Sequence, residues 1–446
     1  MSKHESAEFL LVMDSAVRGI ARGQGFREGG IHRWVRTTVV VAAIHASPFH
    51  AAGQASDVVA WQPRETVSVG GLTGEVALNW VNDLAVGPDG RVYVAQALLP
   101  EVWVFDRDGR FERVLGGAGQ GPGEFTMFVE MLGWKGDTLW AGDLNGINYY
   151  DKEGNPTRRT EWRAVEAAEG SVMVPGVPFA GGGYLPRRRI NRPSSYGATA
   201  TSAVRSYSGN GTSADTLAVL AGWGEQFVEL DWSRSIRAYE AHPLAYRYLE
   251  GPGAVLKQAV GPDGSCFVLI DGGDVGPDRG EFDILRISSS GDTLSVRTVA
   301  YSPRPVGREE RAEITDWFAG HLAGDYIEGP LVGISPQEAE RRRRMARAGL
   351  TFPAFHPPVR HVIVGRDDSI WLLREWQPDG SDLWEVYDDR GEPLASVRFH
   401  QGRRAPAPWD VGVRLLSVSA EEVWGVTVDE MDVPTIRRFR LERPGG

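Results

Sequence analysis

Apolar and polar residues alternate with a period of two along most of this chain, as in VYVA (Val92–Ala95) and EVWVF (Glu101–Phe105). That period predicts β-strands that turn one face inward. The runs are short and end in turn residues: Asp89-Gly90, Lys135-Gly136, Gly181-Gly182, Asp263-Gly264, Asp367-Asp368 and Glu421-Glu422. Asp and Gly suit hairpin loops because they accept positive φ or close an Asx-type bond. The phrase VNDLAVGPDGRVYVA (Val81–Ala95) returns in worn form as MLGWKGDTLWAG (Met131–Gly142), LKQAVGPDGSCFVLI (Leu256–Ile270) and VRHVIVGRDDSIWLL (Val359–Leu373). A second strand–turn–strand phrase follows each copy, as in WVFDRDGRFERV (Trp103–Val114), ILRISSSGDTLSV (Ile284–Val296) and WEVYDDRGEPLASV (Trp384–Val397). A chain that repeats a four-strand unit builds a radial or stacked array.

The turns mark six such units, so the expected fold class is all-β: a six-bladed β-propeller of four-stranded antiparallel blades over residues 56–446. The third and fourth units are irregular, with Ser, Gly and Arg concentrated over Arg187–Asn210 and an additional segment over Gly222–Gly251. Between Gly307 and Leu350 the period changes to a helical one, which predicts a helical insertion (307–350) between blades four and five. Its second half opens on Ser335-Pro336, with Glu338 three residues after the serine, a helix-start signature. The extended run VVAWQPRETVSV (Val58–Val69) is expected to pair with the terminal IRRFRLER strand and close the ring, since an open array leaves two raw sheet edges.

Composition narrows the function classes. Among 446 residues, 48 Lys and Arg face 59 Asp and Glu, a net charge of −11, which opposes binding to nucleic acid or anionic membranes. The basic spots Arg187–Arg189 and Arg341–Arg344 read as solvated local clusters. Cys266 is the sole cysteine, so no intrachain disulfide and no cysteine metal cage can form. No run reaches the length of a membrane span. Near the N-terminus, Arg33-Trp34-Val35-Arg36 precedes the apolar TTVVVAAI and small residues ending at Ala55, the order of a secretory signal. Residues 1–55 are therefore expected to be an extension with a signal peptide, and the protein periplasmic or extracellular, with a cytoplasmic location as the alternative. It is expected to be a monomer.

Where one unit hands over to the next, the chain reads LGGAGQGPGEF (Leu115–Phe125), and this phrase after a "vFd-dG-f" strand resembles the NHL-type six-bladed propellers. The C-terminal IWLLREW, LWEVYDDRGEPLASVRF and EVWGVTVDEMDVPTIRRFRL are similar to the bacterial six-bladed β-propeller family of exported proteins. The resemblance spans roughly Val67–Glu442; it implies the architecture and is nearly silent on activity. As a phosphate loop the glycine phrase fails, because Pro122 and strand-like sequence follow where a helix would have to start.

Ligands of a propeller usually sit at one end of its central channel, ringed by the heads of the inner strands. Polar residues there stand out, since a strand buried on both faces normally carries Val, Ile or Leu. Asn82, Asp83, Glu130, Lys257, Gln258, Arg360, His361 and Arg414 form the candidate ligand-binding set. Its cations suggest an anionic or polyhydroxylated small ligand; the competing reading is that these groups only solvate the channel mouth and bridge blades. The strand WVNDLAV is similar to that of gluconolactonase-type lactonases, which hold a divalent cation with Glu, Asn and Asp. That resemblance implies a hydrolase or lyase alternative using Ca²⁺ or another divalent cation at Asn82, Asp83 and Glu130, but Lys257, Arg360 and His361 stand where further oxygen ligands belong. His321, His356 and His361 form no zinc motif, and neither a G-x-S-x-G elbow nor H-E-x-x-H occurs. The expectation is thus a binding or interaction module with no cofactor and no assigned catalytic residue, whose partner is a small ligand or an envelope protein. A scaffold meeting that protein through Trp232, Trp376 and Trp409 is the third reading.

Overall fold

The computed structural model describes residues 58–72, 74, 76–143, 145–161, 165–166, 172–174, 177–178, 188–190, 202–207, 214–220, 257–323, 335–349, 354–356, 358–374, 381–400, 412–429, 431 and 433–444. The expected signal peptide, Trp232, Trp376 and Trp409 lie outside the described residues, as does most of Arg187–Asn210 and all of Gly222–Gly251.

The chain opens with the long strand β1 (Ala60–Gly70). Two antiparallel four-stranded sheets follow: β2 (Val81–Val86), β3 (Val92–Gln96), β4 (Glu101–Phe105) and β5 (Phe111–Gly116), then β6 (Met131–Lys135), β7 (Thr138–Gly142), β8 (Gly146–Tyr150) and β9 (Pro156–Glu161). Short pieces come next, a three-stranded sheet of β10 (Val165–Glu166), β11 (Val172–Val174) and β12 (Arg188–Ile190), and a hairpin of β13 (Ser202–Tyr207) and β14 (Ala214–Leu220). Another four-stranded sheet holds β15 (Lys257–Val260), β16 (Cys266–Val275), β17 (Gly280–Ser288) and β18 (Thr293–Tyr301). Helices α1 (Arg308–Ala323) and α2 (Pro336–Gly349) pack on each other. The last strands are β19 (Val359–Val364), β20 (Ile370–Arg374), β21 (Asp382–Tyr387), β22 (Pro393–Phe399), β23 (Arg414–Val418), β24 (Glu422–Val428) and β25 (Pro434–Glu442).

Each sheet meanders from its first strand to its fourth, so the β2–β3 and β4–β5 turns share one end and the head of β2 lies at the other. The turn chemistry is local: Asp106 accepts the backbone N–H groups of Asp108 and Arg110 at 2.9 and 2.8 Å, and Gly109 takes the φ of +84°. Among the described residues the hydrophobic core is divided into four layers, each between the faces of two neighbouring four-stranded units. Tyr93, Val102, Val104, Trp134, Leu139 and Tyr150 fill the layer between β2–β5 and β6–β9. Further layers join β23–β25 to β2–β5 through Trp424 and Val94, and β19–β22 to β23–β25 through Trp384 and Val423. A fourth joins β15–β18 to β19–β22 through Phe282 and Leu372. The first strands pack in the sequence β15, β19, β23, β2, β6 and so form the inner side of the stack.

The N-terminal strand closes this arrangement as expected, pairing antiparallel with β25 from Gln62↔Glu442 to Gly70↔Thr435. It does something further. Its first residues pair parallel with β22 (Ala60↔Ser396, Trp61↔Val397), which fuses two four-stranded units into one eight-stranded sheet, β19-β20-β21-β22-β1-β25-β24-β23. The glycine phrase is a connector: Phe125 is fully buried, and its main chain pairs back on Gly117 and Gly119. Asn148 holds it from below, accepting from Gly123 N and donating to Glu124 O.

Both helices lie between β18 and β19. The Ser335 hydroxyl accepts the Glu338 N–H at 3.2 Å, capping α2 where the sequence places the cap. The arginines Arg341–Arg344 are engaged locally, with Glu338 meeting Arg341 and Arg342 and Glu340 meeting Arg343 and Arg344. Glu338 is held down to about 2, chiefly by its hydrogen bond from Arg341. At the base of the helical pair, Arg304–Val306 and Ala354–His356 form a neck with a bridge at Pro305↔Phe355. Buried His356 meets Glu310 at 2.9 Å, and Arg304 meets the same carboxylate at 3.2 Å. Burial pushes the His356 imidazole below its usual value although Glu310 pulls the other way. Burial also pushes Glu310 up, but the bonds from His356 and Arg304 outweigh it and its carboxyl sits below the usual range. Cys266, in β16, is a buried thiol.

Candidate functional site

At the inner-strand heads, bulges decide which side chains leave the ladder. In β2 the register slips between Val81 and Asp83, and in β19 it slips between Val359 and His361. A bulge leaves one residue unpaired and re-aims its side chain. Asn82 and Arg360 are those residues, as their shared position in the repeat implies. In β23 the slip falls between Leu415 and Ser417, so Arg414 stands two residues ahead of the matching position.

Once re-aimed, these groups reach across to the next sheet. Asn82 donates from Nδ2 to the Val129 carbonyl at 2.9 Å, and Asp83 accepts the Leu132 N–H on Oδ2 and its neighbour Leu84 N–H on Oδ1, both at 2.9 Å. Glu130 stands between those two anchor points and continues the ladder, its N–H donating to Gly142 O at 2.8 Å. Arg414 donates to the Val81 carbonyl from the opposite side, with its guanidinium 5.9 Å from the Trp80 ring centre. Asn82, Asp83, Glu130 and Arg414 are therefore brought together where β23, β2 and β6 meet.

Arg360 lies further round the ring. Its Nη1 is 3.5 Å from Oδ1 of Asp382, a fully buried carboxylate whose Oδ2 accepts the Gly412 N–H at 3.1 Å just ahead of β23. The exposed His361 ring meets Trp384 edge-on at 6.1 Å. Lys257 and Gln258 pair in the backbone ladder with Ile270 and Leu269, and their side chains fall outside the described residues. The result is a polar seam running from Arg360 through Asp382, Gly412, Arg414 and Asn82 to Leu132, across four consecutive four-stranded units.

Asp382 and Trp80 join the site without having stood out in the sequence. An acid opening the otherwise apolar strand DLWEVY was the available signal for the first; Trp80 precedes its strand and carries no such mark. Among the described residues, no group of three or more His, Cys, Asp or Glu side chains is placed to hold a metal ion. No helix among them is long and apolar enough to cross a membrane.

Layered four-stranded antiparallel sheets, arranged with their first strands inward and a terminal strand closing the stack, define a β-propeller. A family model described as a six-bladed β-propeller, DUF5128, matches residues 81–132, which hold Asn82, Asp83 and Glu130. No curated protein matches the sequence. Among solved structures, a member of the DUF4221 family from Bacteroides vulgatus is similar over 87% of this chain and 99% of its own, with 9% identity and a TM-score of 0.42. A luciferin-regenerating enzyme is similar over 86% and 96%, with 10% identity and a TM-score of 0.36. Regucalcin from Agrobacterium tumefaciens, a calcium-binding protein, is similar over 85% and 94%, with 10% identity and a TM-score of 0.34.

Proposed function

We propose that this chain is an exported six-bladed β-propeller that binds a small polar ligand at the face formed by its inner-strand heads. In this reading β2–β5, β6–β9, the pieces β10–β14, β15–β18, β19–β22 and β23–β25 with β1 are the six blades, and α1 and α2 are an insertion between the fourth and fifth. The observation that carries the reading is the polar seam. Its side chains are hydrogen-bonding groups of both signs at strand ends that would otherwise be apolar, and most stay partly open to solvent. Arg414 beside Asp83 and Glu130, with Arg360 and His361 further round the ring, suits a ligand that brings both acceptors and donors, an anionic or polyhydroxylated molecule.

Both Asp83 oxygens accept backbone N–H groups, which weakens them as cation ligands, and Asn82 is tied to Val129 through its Nδ2. A binding module therefore fits this chain better than a cation-dependent hydrolase or lyase. A thermal-shift screen of residues 56–446 against sugars, sugar acids, lactones and organic acids tests the reading. Stabilisation by a member of the screen that His361→Ala and Lys257→Ala diminish supports it. Stabilisation that both variants keep in full overturns the site, and no stabilisation by any of the four classes overturns the small-ligand reading.

A further inference from the structure

The segment leading into β2 places its apolar residues against expectation. In Leu78-Asn79-Trp80-Val81, Leu78 and Val81 are buried and pack in the layer between the last unit and the first. Trp80, the largest apolar side chain of the segment, is turned outward and 44% exposed. A Trp packed inside withdraws about 150–250 Å² from water, so this segment forgoes the largest apolar burial open to it.

The backbone on either side of Trp80 is pinned. The Asn79 N–H donates to Gln96 Oε1 at 2.7 Å, and the Trp80 carbonyl accepts the Ala97 N–H at 2.6 Å. Gln96 is fully buried, which makes it a fixed anchor. Leu98, next along the same turn, takes a φ of +69°, rare for a bulky residue, and its side chain is 38% exposed. Such strain persists only where the surrounding structure enforces it. Two apolar side chains on held backbone therefore face solvent at the head of the first sheet.

Polar groups stand beside them. Asn82 lies two residues on, about 7 Å along a strand. It is half-buried, gives Nδ2 to the Val129 carbonyl and keeps Oδ1 as an acceptor. The half-buried Glu130 follows Val129, and the Arg414 guanidinium lies 5.9 Å from the Trp80 ring centre on the β23 side. A ligand seated here meets a flat apolar surface with hydrogen-bonding groups along its edge. Open-chain acids and polyols have no flat apolar face to set on an indole. A pyranose has one: its axial C–H bonds make an apolar face of partial positive charge, suited to the negative face of the π-system, and its hydroxyls project from the rim.

We propose, resting on the reading of the inner-strand heads as a ligand face, that Trp80 is its stacking platform and that the ligand is a pyranose sugar. The ring sets its C–H face on the indole, and a hydroxyl donates to Asn82 Oδ1. Neutral and acidic sugars share this chemistry.

The test labels the full chain with 5-fluorotryptophan and follows the ¹⁹F resonance of Trp80, assigned by its loss in Trp80→Phe. The titrants are methyl β-galactopyranoside, the sodium salt of methyl α-galacturonoside, and open-chain sodium gluconate. The expected result is a saturable shift with at least one ring sugar at concentrations up to about 50 mM, the weak range natural for a monosaccharide, and none with gluconate. Broadening of the sugar's own methoxy proton signal reads affinity in variants that lack the reporter. Trp80→Leu, which keeps apolar bulk without the ring, is expected to weaken binding about tenfold, and Trp80→Tyr less than about threefold. Equal affinity in wild type and Trp80→Leu overturns the platform. A gluconate shift as strong as that of the ring sugars overturns the pyranose and leaves the ligand face standing. Silence with all three titrants overturns the proposal, while the ligand face itself is decided by the wider screen of acids and lactones.

Discussion

Asp83→Ala separates a strut from a purely ligand-facing group. In the folded chain the Asp83 carboxylate accepts two backbone N–H groups, those of Leu84 and Leu132, both at 2.9 Å. Leu84 and Leu132 are themselves buried, so water replaces the lost acceptors only in part. Leaving two buried donors unsatisfied costs about 2 kcal/mol each, about 4 kcal/mol in all. Asparagine keeps one acceptor oxygen, so Asp83→Asn is expected to cost about half as much. Equilibrium unfolding in urea followed by tryptophan fluorescence reads this directly. With an m-value of about 4 kcal/mol/M for a chain of this length, the midpoint drops by about 1 M in Asp83→Ala and about 0.5 M in Asp83→Asn. A midpoint within about 0.2 M of the wild type for Asp83→Ala refutes the reasoning, because the bond to Leu132 then does not tie the first sheet to the second.

Other outcomes follow from the same geometry. A Cβ at Gly133 would lie 2.2 Å from the Trp140 ring, whose Nε1 reaches the Pro262 carbonyl at 3.4 Å; Gly133→Ala is expected to lower stability by about 2–3 kcal/mol in the same urea assay. Ser335→Ala removes the cap of α2 and is expected to cost about 1 kcal/mol, read as lost helical signal in the thermal melt. The neck is expected to loosen in acid. The folded-state value of His356 lies below its unfolded value, so its contribution is complete above pH 6.5 and is lost as pH falls through the folded value. Glu310 is depressed as well, and its contribution disappears below pH 4.5. His356→Gln should therefore flatten the stability profile just below pH 6.5 and leave the lower, Glu310-dependent fall in place.

Much of the fold was legible because its signals are local. Period-two alternation, Asp-Gly turns and the Ser335-Pro336 start each act within a few residues, and all reappear as strands, hairpins and a capped helix. The double pairing of β1 was not legible. Its bond to β22 joins Ala60 to Ser396, and nothing in VVAWQPRETVSV marks a switch of partner at Gln62. The site was legible in part. Polar residues at apolar positions pointed to Asn82, Asp83, Arg360 and Arg414, yet their partners on other strands are main-chain groups 47 to 333 residues away or a buried acid. A main-chain carbonyl has no signature in sequence. The β23 register slip shows the limit most plainly: Arg414 heads its strand, but the bulge sets Leu416 at the place that Asn82 holds in β2.

Calorimetric titration of the screen's best stabiliser tests most directly whether the inner-strand heads form a ligand face. Wild type is compared with His361→Ala, whose side chain is exposed. Binding at one equivalent is expected, weakening about tenfold in the variant. Equal affinity in the two proteins would contradict it, and the polar seam would then be a set of ties between sheets and nothing more.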